Sequence, residues 1–353
     1  MMNIKKYHPG IFIKDALESL DMKSNEFAMR TGVSERTLSS IINEEGSITF
    51  DVAFKLSQFF GNSVNFWTNL QNDYDLYKRN EKEKEIFKEE RKLLKPIKNY
   101  LFDNGICNKS MTNEEIILAS RQYVSVNNLT LLNTKDYMVC FKKQSGPIEE
   151  THFYQNFWIA LSLKEARNKE VSVYDKKKVE NYIPEIKSLT TKDGEYISKR
   201  LDEIFKDCGI SFVLVPYLPK SRIYGVTKWI NSNKVMLAIS NRGERADYFW
   251  FTLLHELGHV LLEHKREAII SFDGSEDNYA DSFARDVLID KEHWNKFVEA
   301  GRFTPYTIKK FALKESVLPI IVVGRLQKEK YIPYNRFTKE FMDSYKIVQE
   351  SNY

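Results

Sequence analysis

Apolar residues recur at helical spacing through the first 77 positions. Ile11, Ile13, Ala16, Leu17 and Leu20 form one stripe, the pattern of a helix that buries one face. Pro9 can open that helix at its first turn. Ser24 is a candidate N-cap for a short helix carrying Phe27 and Ala28. Gly32 suits a tight turn, and Ser34 caps a helix containing Thr37, Leu38, Ile41 and Ile42. Thr49 opens another helix, which ends at Gly61, and Ser63 opens the next. From 78 to 98 the pattern changes to alternating Glu and Lys with opposite charges three or four apart. That predicts a solvated connecting helix, ended or kinked at Pro96.

Beyond residue 99 helix and strand patterns mix. SFVLVPY (211–217), RIYGVTKWI (222–230) and KVMLAIS (234–240) are rich in β-branched and aromatic residues and read as strands. A long apolar helix follows, from about Tyr248 to His264. AIISF (268–272) suits one more strand, a helix falls near 278–288, and further helices close the chain.

A length of 353 residues suggests two or three domains. Four segments emerge: a helical head (1–77), a charged helical connector (78–98), a mainly helical intermediate region (99–209) and a mixed domain (210–353). No apolar run approaches the roughly 18 residues of a membrane span. The start, MMNIKKYHPG, lacks the apolar stretch of a signal peptide. Cys107, Cys140 and Cys208 are odd in number and far apart, which fits a reducing cytoplasm better than a disulfide framework or metal cluster. A cytoplasmic protein is therefore expected.

The stretch 24–43, SNEFAMRTGVSERTLSSIIN, has helix-turn-helix spacing. Ala28 is small where two helices meet, and Val33, Leu38 and Ile41 fall inward. Arg36, Ser39, Ser40 and Asn43 then point out from the second helix, which in a DNA-binding unit enters the major groove. Arg36 can read guanine, and Asn43 can read adenine or hold phosphate. Charge argues the other way. Residues 1–77 hold seven basic and ten acidic residues, net −3, whereas 78–98 hold nine and five, net +4. Phosphate contacts supply much of the affinity of such modules, so Lys82, Lys84, Lys88 and Lys92 of the connector are the expected source.

HPGIFIKDAL, TGVSERTLSSIIN and ITFDVAFKLSQFFGNSVNFWTNLQNDYDLY together resemble the HigA-type antitoxins among the Cro/C1-like (XRE) helix-turn-helix regulators. The resemblance covers residues 8–77. It implies operator DNA, binding as a homodimer, and pairing with a toxin. Those relatives carry a Lys or Arg after Asn-Gly at the end of the recognition helix. Here Asn43-Glu44-Glu45-Gly46 stands in that place.

The second motif is His255-Glu256-Leu257-Gly258-His259. Histidines at i and i+4 share a helix face and can share a zinc ion. Glu256 can take a proton from a water that zinc acidifies. Phe249, Trp250, Phe251, Leu253 and Leu254 would bury the helix, so the histidines need an internal purpose. A third ligand is expected from the acidic stretch that follows, where Glu276, Asp277 and Asp281 are available. Asp277 and Asp281 are four apart, so one can bind zinc while the other hydrogen-bonds a ligand histidine. His264 lies about 140° around the helix from His259, counting roughly 100° per residue, and faces away. His152 and His293 have no motif around them.

LPKSRIYGVTKWI, RADYFWFTLLHELGHVLL, ADSFARDVLI and LPIIVVGRLQKEKYIP resemble the ImmA/IrrE metallopeptidases over about 210–335. The resemblance implies an α+β zincin-like domain, Zn2+ on His255 and His259, and Glu256 as general base. Asp277 is the preferred third ligand, Glu276 the alternative, and Asp281 supports a ligand histidine. It also implies cleavage of one specific protein, such as a repressor, with KVMLAIS as the candidate edge strand that holds it, the other reading of KVMLAIS being a buried interior strand.

The fold expected is thus multidomain: an all-α helix-turn-helix head, a helical connector and an α+β zincin-like domain. The function expected is a DNA-binding regulator or antitoxin-like protein with a zinc endopeptidase that cleaves a protein partner. One alternative is an antitoxin or repressor whose second part binds a toxin or senses a signal without hydrolysis. Another is a toxin acting by proteolysis.

Overall fold

The computed structural model describes residues 7–133, 149–262, 269–272 and 278–341. The chain divides into two compact units, residues 1–89 and 90–353. The protein is mostly helical, with one small mixed sheet.

The first unit holds α1 (Pro9–Ser19), α2 (Ser24–Thr31), α3 (Glu35–Ile42), α4 (Phe50–Phe60) and the start of α5 (Val64–Leu94). Local chemistry sets these boundaries. His8 caps α1 by accepting from the Gly10 amide at 3.0 Å, and Pro9 occupies the first turn. Gly32 ends α2 in the left-handed region, with φ of 67°. Ser34 caps α3 by accepting from the Thr37 amide at 3.1 Å. One expected cap differs: α2 begins at Ser24 itself, and Lys23 in the cap position makes no side-chain bond. The core gathers Ile13, Phe27, Ala28, Leu38, Ile41, Ala53, Leu56 and Trp67.

The helix that Ser63 opens does not stop near residue 77. It runs on as α5 to Leu94, and Lys95–Ile97 form a short 3-10 turn around Pro96. The connector is also less solvated than its composition implies. Glu90 is wholly buried, and so are Leu94 and Ile97. The Glu90 carboxylate accepts from Arg121 Nε at 2.9 Å and Nη2 at 2.6 Å, and from the Leu129 amide at 2.6 Å.

The second unit continues with α6 (Lys98–Asp103), α7 (Asn113–Tyr123), α8 (Glu149–Asn168), α9 (Lys176–Ser188) and α10 (Gly194–Asp207). Then come β1 (Ile210–Val215), β2 (Ile223–Asn231) and β3 (Lys234–Ser240), followed by α11 (Ala246–Leu261) and β4 (Ile269–Phe272). α12 (Asn278–Leu288), α13 (Lys291–Glu299), α14 (Pro305–Glu315) and α15 (Pro319–Lys328) follow. Residues 99–209 and 210–353 thus lie in one compact unit.

The strand order is β1-β3-β2-β4. β1 runs parallel to β3, while β2 is antiparallel to both β3 and β4. This decides between the two readings of KVMLAIS against the edge strand: β3 pairs on both sides and is an interior strand. It is buried from Val235 to Ser240, as a doubly covered strand should be. α11 packs against β2, β3, α12 and α15. Gly258 lets α12 close on it, since a Cβ there would stand 3.2 Å from Phe283 Cδ1 and 3.3 Å from Ala280 Cα.

Candidate metal centre and recognition helix

In the head, α3 turns Leu38 and Ile41 into the core. That orientation leaves Arg36, Ser39 and Asn43 exposed. Asn43 Nδ2 lies 3.4 Å from Ser39 Oγ. Ser40 is half-buried under the turn that follows, where the Gly46 amide donates to its carbonyl at 2.9 Å. Glu44 and Glu45 are exposed beside Asn43. Of the connector lysines, Lys84 pairs with Glu81 at 2.8 Å and Lys88 with Glu85 at 2.5 Å, all well exposed. Exposed pairs contribute only about 0–1 kcal/mol.

In the second unit, α11 buries every residue from Thr252 to Leu261. His255 and His259 are 5% and 1% exposed, and Glu256 is fully buried. Their helical spacing brings His255 Nε2 and His259 Nε2 to 3.1 Å. Two nitrogens about 2.0–2.1 Å from a tetrahedral zinc stand about 3.3 Å apart, so the pair fits a shared metal. The close seat of α12 brings Asp281 Oδ1 to 2.8 Å from His255 Nδ1. A proton on Nδ1 in that bond leaves the Nε2 lone pair for a ligand. Asp277, Glu276 and His264 lie outside the described residues. Among the described residues, no group of three His, Cys, Asp or Glu side chains is gathered for a metal.

Glu256 projects against β2. Thr227 Oγ lies 2.7 Å from its Oε2 and 3.1 Å from its backbone carbonyl, so one hydroxyl hydrogen serves either acceptor. Gly225, on the same face of β2, leaves room for the carboxylate: a Cβ there would stand 2.7 Å from Glu256 Cγ and 2.8 Å from Oε1. Sequence reasoning missed Gly225 and Thr227. The two-residue alternation of β2 places both on one face, but only the packing of α11 shows that the face meets Glu256.

The other histidines lie outside this centre. His293 Nδ1 is 2.7 Å from Glu315 Oε1, a contact that ties the start of α13 to α14, and His152 is half-buried in α8. Cys107 and Cys208 are buried thiols, and burial raises the Cys208 pKa to about 12. Among the described residues, no helix is long and apolar enough to cross a membrane.

Comparison with known proteins bears on the head. The helix-turn-helix family HTH_3 matches residues 13–67, which makes the head a helix-turn-helix domain of the XRE type. The chain is 40% identical over 70 residues to the uncharacterized HTH-type transcriptional regulator YbaQ of Escherichia coli K12, covering 20% of this chain and 62% of that protein. It is 36% identical over 81 residues to antitoxin HigA-1 of Vibrio cholerae, covering 23% of this chain and 72% of that one. It is also similar to a solved putative antidote protein of a plasmid maintenance system from Nostoc punctiforme, at 37% identity, 24% and 94% coverage and a TM-score of 0.24. Through its head, the chain belongs to the HigA-like helix-turn-helix family. The chain spans about 62% of the length of YbaQ.

Proposed function

We propose that this chain is a DNA-binding regulator of the antitoxin type whose second unit is a zinc-dependent, zincin-like endopeptidase of the ImmA/IrrE kind, acting on a specific protein partner. For the head, the supporting observation is the outward face of α3, with Arg36, Ser39 and Asn43 exposed above a buried Leu38 and Ile41. That face enters the major groove of an operator, with a second copy on the other half-site. The basic stretch 78–98 adds phosphate contacts that the acidic head lacks.

For the second unit, one observation carries the reading: two buried histidines with Nε2 atoms 3.1 Å apart, one of them held through Nδ1 by Asp281. His255 and His259 would hold zinc, with Asp277 as third ligand and Glu276 as alternative. Bound zinc would polarise the scissile carbonyl and acidify a water. Glu256 would serve as the general base there, and Thr227 and Gly225 fix where its carboxylate sits. Asp281 holds the ring of His255 in one orientation. An extended substrate segment adds to β4, which among the described residues is the outer strand beside β2. The partner is a repressor, a toxin or an antitoxin counterpart.

Glu256→Gln separates this reading from the non-hydrolytic one. It keeps both histidines and removes the base. Purified wild type and variant are incubated with the proteins encoded beside this one. Wild type is expected to cut one of them at a single site, at least about 10²-fold faster than the variant, with equal operator affinity. Equal repression and equal toxin protection, with no cleavage by either, would favour binding without hydrolysis. Proteolytic toxicity would instead appear as slow growth with wild type that the variant relieves.

A further inference from the structure

The cavity beside the histidines contains groups that hydrolysis does not use. It encloses about 360 Å³, within the roughly 300–1,000 Å³ of ligand pockets. Tyr248, Phe251, Leu288 and Ile321 form its apolar wall, and it reaches His255 and Asp281. The acids along it are already engaged. Asp281 lies 2.8 Å from His255 Nδ1, and Asp247 accepts from Arg245 at 2.9 and 2.7 Å. Glu329 accepts from Arg325 at 2.8 Å, and Arg325 also faces the carbonyls of Arg285 and Ile289 at 3.4 Å. Two cations on the lining differ. Arg285 is half-buried and donates to the Ser282 hydroxyl at 3.1 Å. Neither it nor the exposed Lys328 has a carboxylate partner among the described residues.

A half-buried guanidinium with donors to spare, beside aromatic surface, is suited to a carboxylate carried on an apolar neighbour. We propose that this cavity is a specificity subsite for an acidic side chain of the peptide substrate. Arg285 and Lys328 take the carboxylate, and the wall of Tyr248 and Phe251 takes an adjoining apolar residue. The proposal rests on the peptidase reading above, and it predicts that the cleaved segment carries Glu or Asp next to an aromatic or aliphatic residue.

The test uses full-length Glu256→Gln protein, which binds without turnover, titrated with N-acetyl-Phe-Glu-amide and N-acetyl-Phe-Gln-amide. The acidic peptide is expected to bind about tenfold more tightly, as a charged hydrogen-bond partner should. That preference is expected to vanish when Arg285→Gln and Lys328→Gln are added, with the melting temperature unchanged. Equal affinity for both peptides, or a preference that survives the added substitutions, overturns the proposal. 3-Phenylpropionate binding as tightly as the acidic peptide would assign the cavity to a free acid and overturn the peptide assignment. A wild-type protein that shows the preference yet cleaves no partner supports the subsite and overturns only the peptidase reading.

Discussion

Helices α3 and α11 dispose their polar residues in opposite ways. α3 buries Leu38 and Ile41 and turns Arg36 and Ser39 to solvent. α11 buries nearly everything, including His255, Glu256 and His259. An exposed polar face is what any soluble helix has, so α3 announces a binding surface only through its spacing and family. A carboxylate and two imidazoles inside an apolar helix are costly unless something engages them. α11 therefore needs partners inside the fold, and Asp281 and Thr227 are among them, whereas α3 leaves its polar groups to solvent.

The sharpest break of that contrast is at Glu90, a polar residue buried for structural reasons. Glu90→Ala leaves the Arg121 guanidinium without the carboxylate that now accepts two of its bonds. It is expected to destabilise the second unit by about 3–5 kcal/mol, as loss of one partner of a buried pair does. Denaturant unfolding followed by tryptophan fluorescence measures this, since Trp158, Trp229, Trp250 and Trp294 lie in that unit. A shift under 1 kcal/mol would mean that the pair is not the buried contact described.

On the exposed face, Arg36→Ala should leave stability unchanged and weaken operator binding by about 1–3 kcal/mol, the range of one lost base contact. Gel-shift titration against the promoter upstream of the chain measures it. Undiminished affinity would remove α3 as the reading element.

The smallest effect is a pH slope in the head. His8 is buried, and burial holds its pKa below the usual 6.5. Its Nδ1 must be unprotonated to accept from the Gly10 amide. Below pH 6.5 the unfolded chain binds the proton more readily than the folded one, so stability falls as the pH drops. His8→Asn keeps a capping side chain without a titrating ring. Its urea midpoint should depend less on pH between 7.5 and 5.5 than that of wild type. An identical slope in both would locate the proton uptake elsewhere.

Much of the head was legible in the sequence because its signals are local. Ser34, Thr49 and Gly61 sit at helix ends, and Ile13, Leu17, Leu38 and Ile41 fall inward as their spacing predicts, while Leu20, the last residue of the first stripe, is exposed. The histidine pair was legible for the same reason, being one helical turn apart. What was not legible depends on residues distant in sequence. Glu90 reads as one more charge in a solvated run until Arg121 and Leu129 fold over it. β3 could be an edge or an interior strand until β1 pairs with it in parallel. Gly225 and Thr227 meet Glu256 only through the packing of α11, and Arg285 and Lys328 share a cavity only once α12 and α15 are placed.

The buried histidines are the proposed metal site. A proton shared between the two rings would span the same 3.1 Å. Metal content of the purified protein separates the two. Wild type is expected to carry one equivalent of zinc, His255→Ala none, and Asp277→Ala a reduced amount if Asp277 is the third ligand. Stoichiometric zinc retained in His255→Ala, or a wild type that takes up no zinc when it is supplied, would contradict the account.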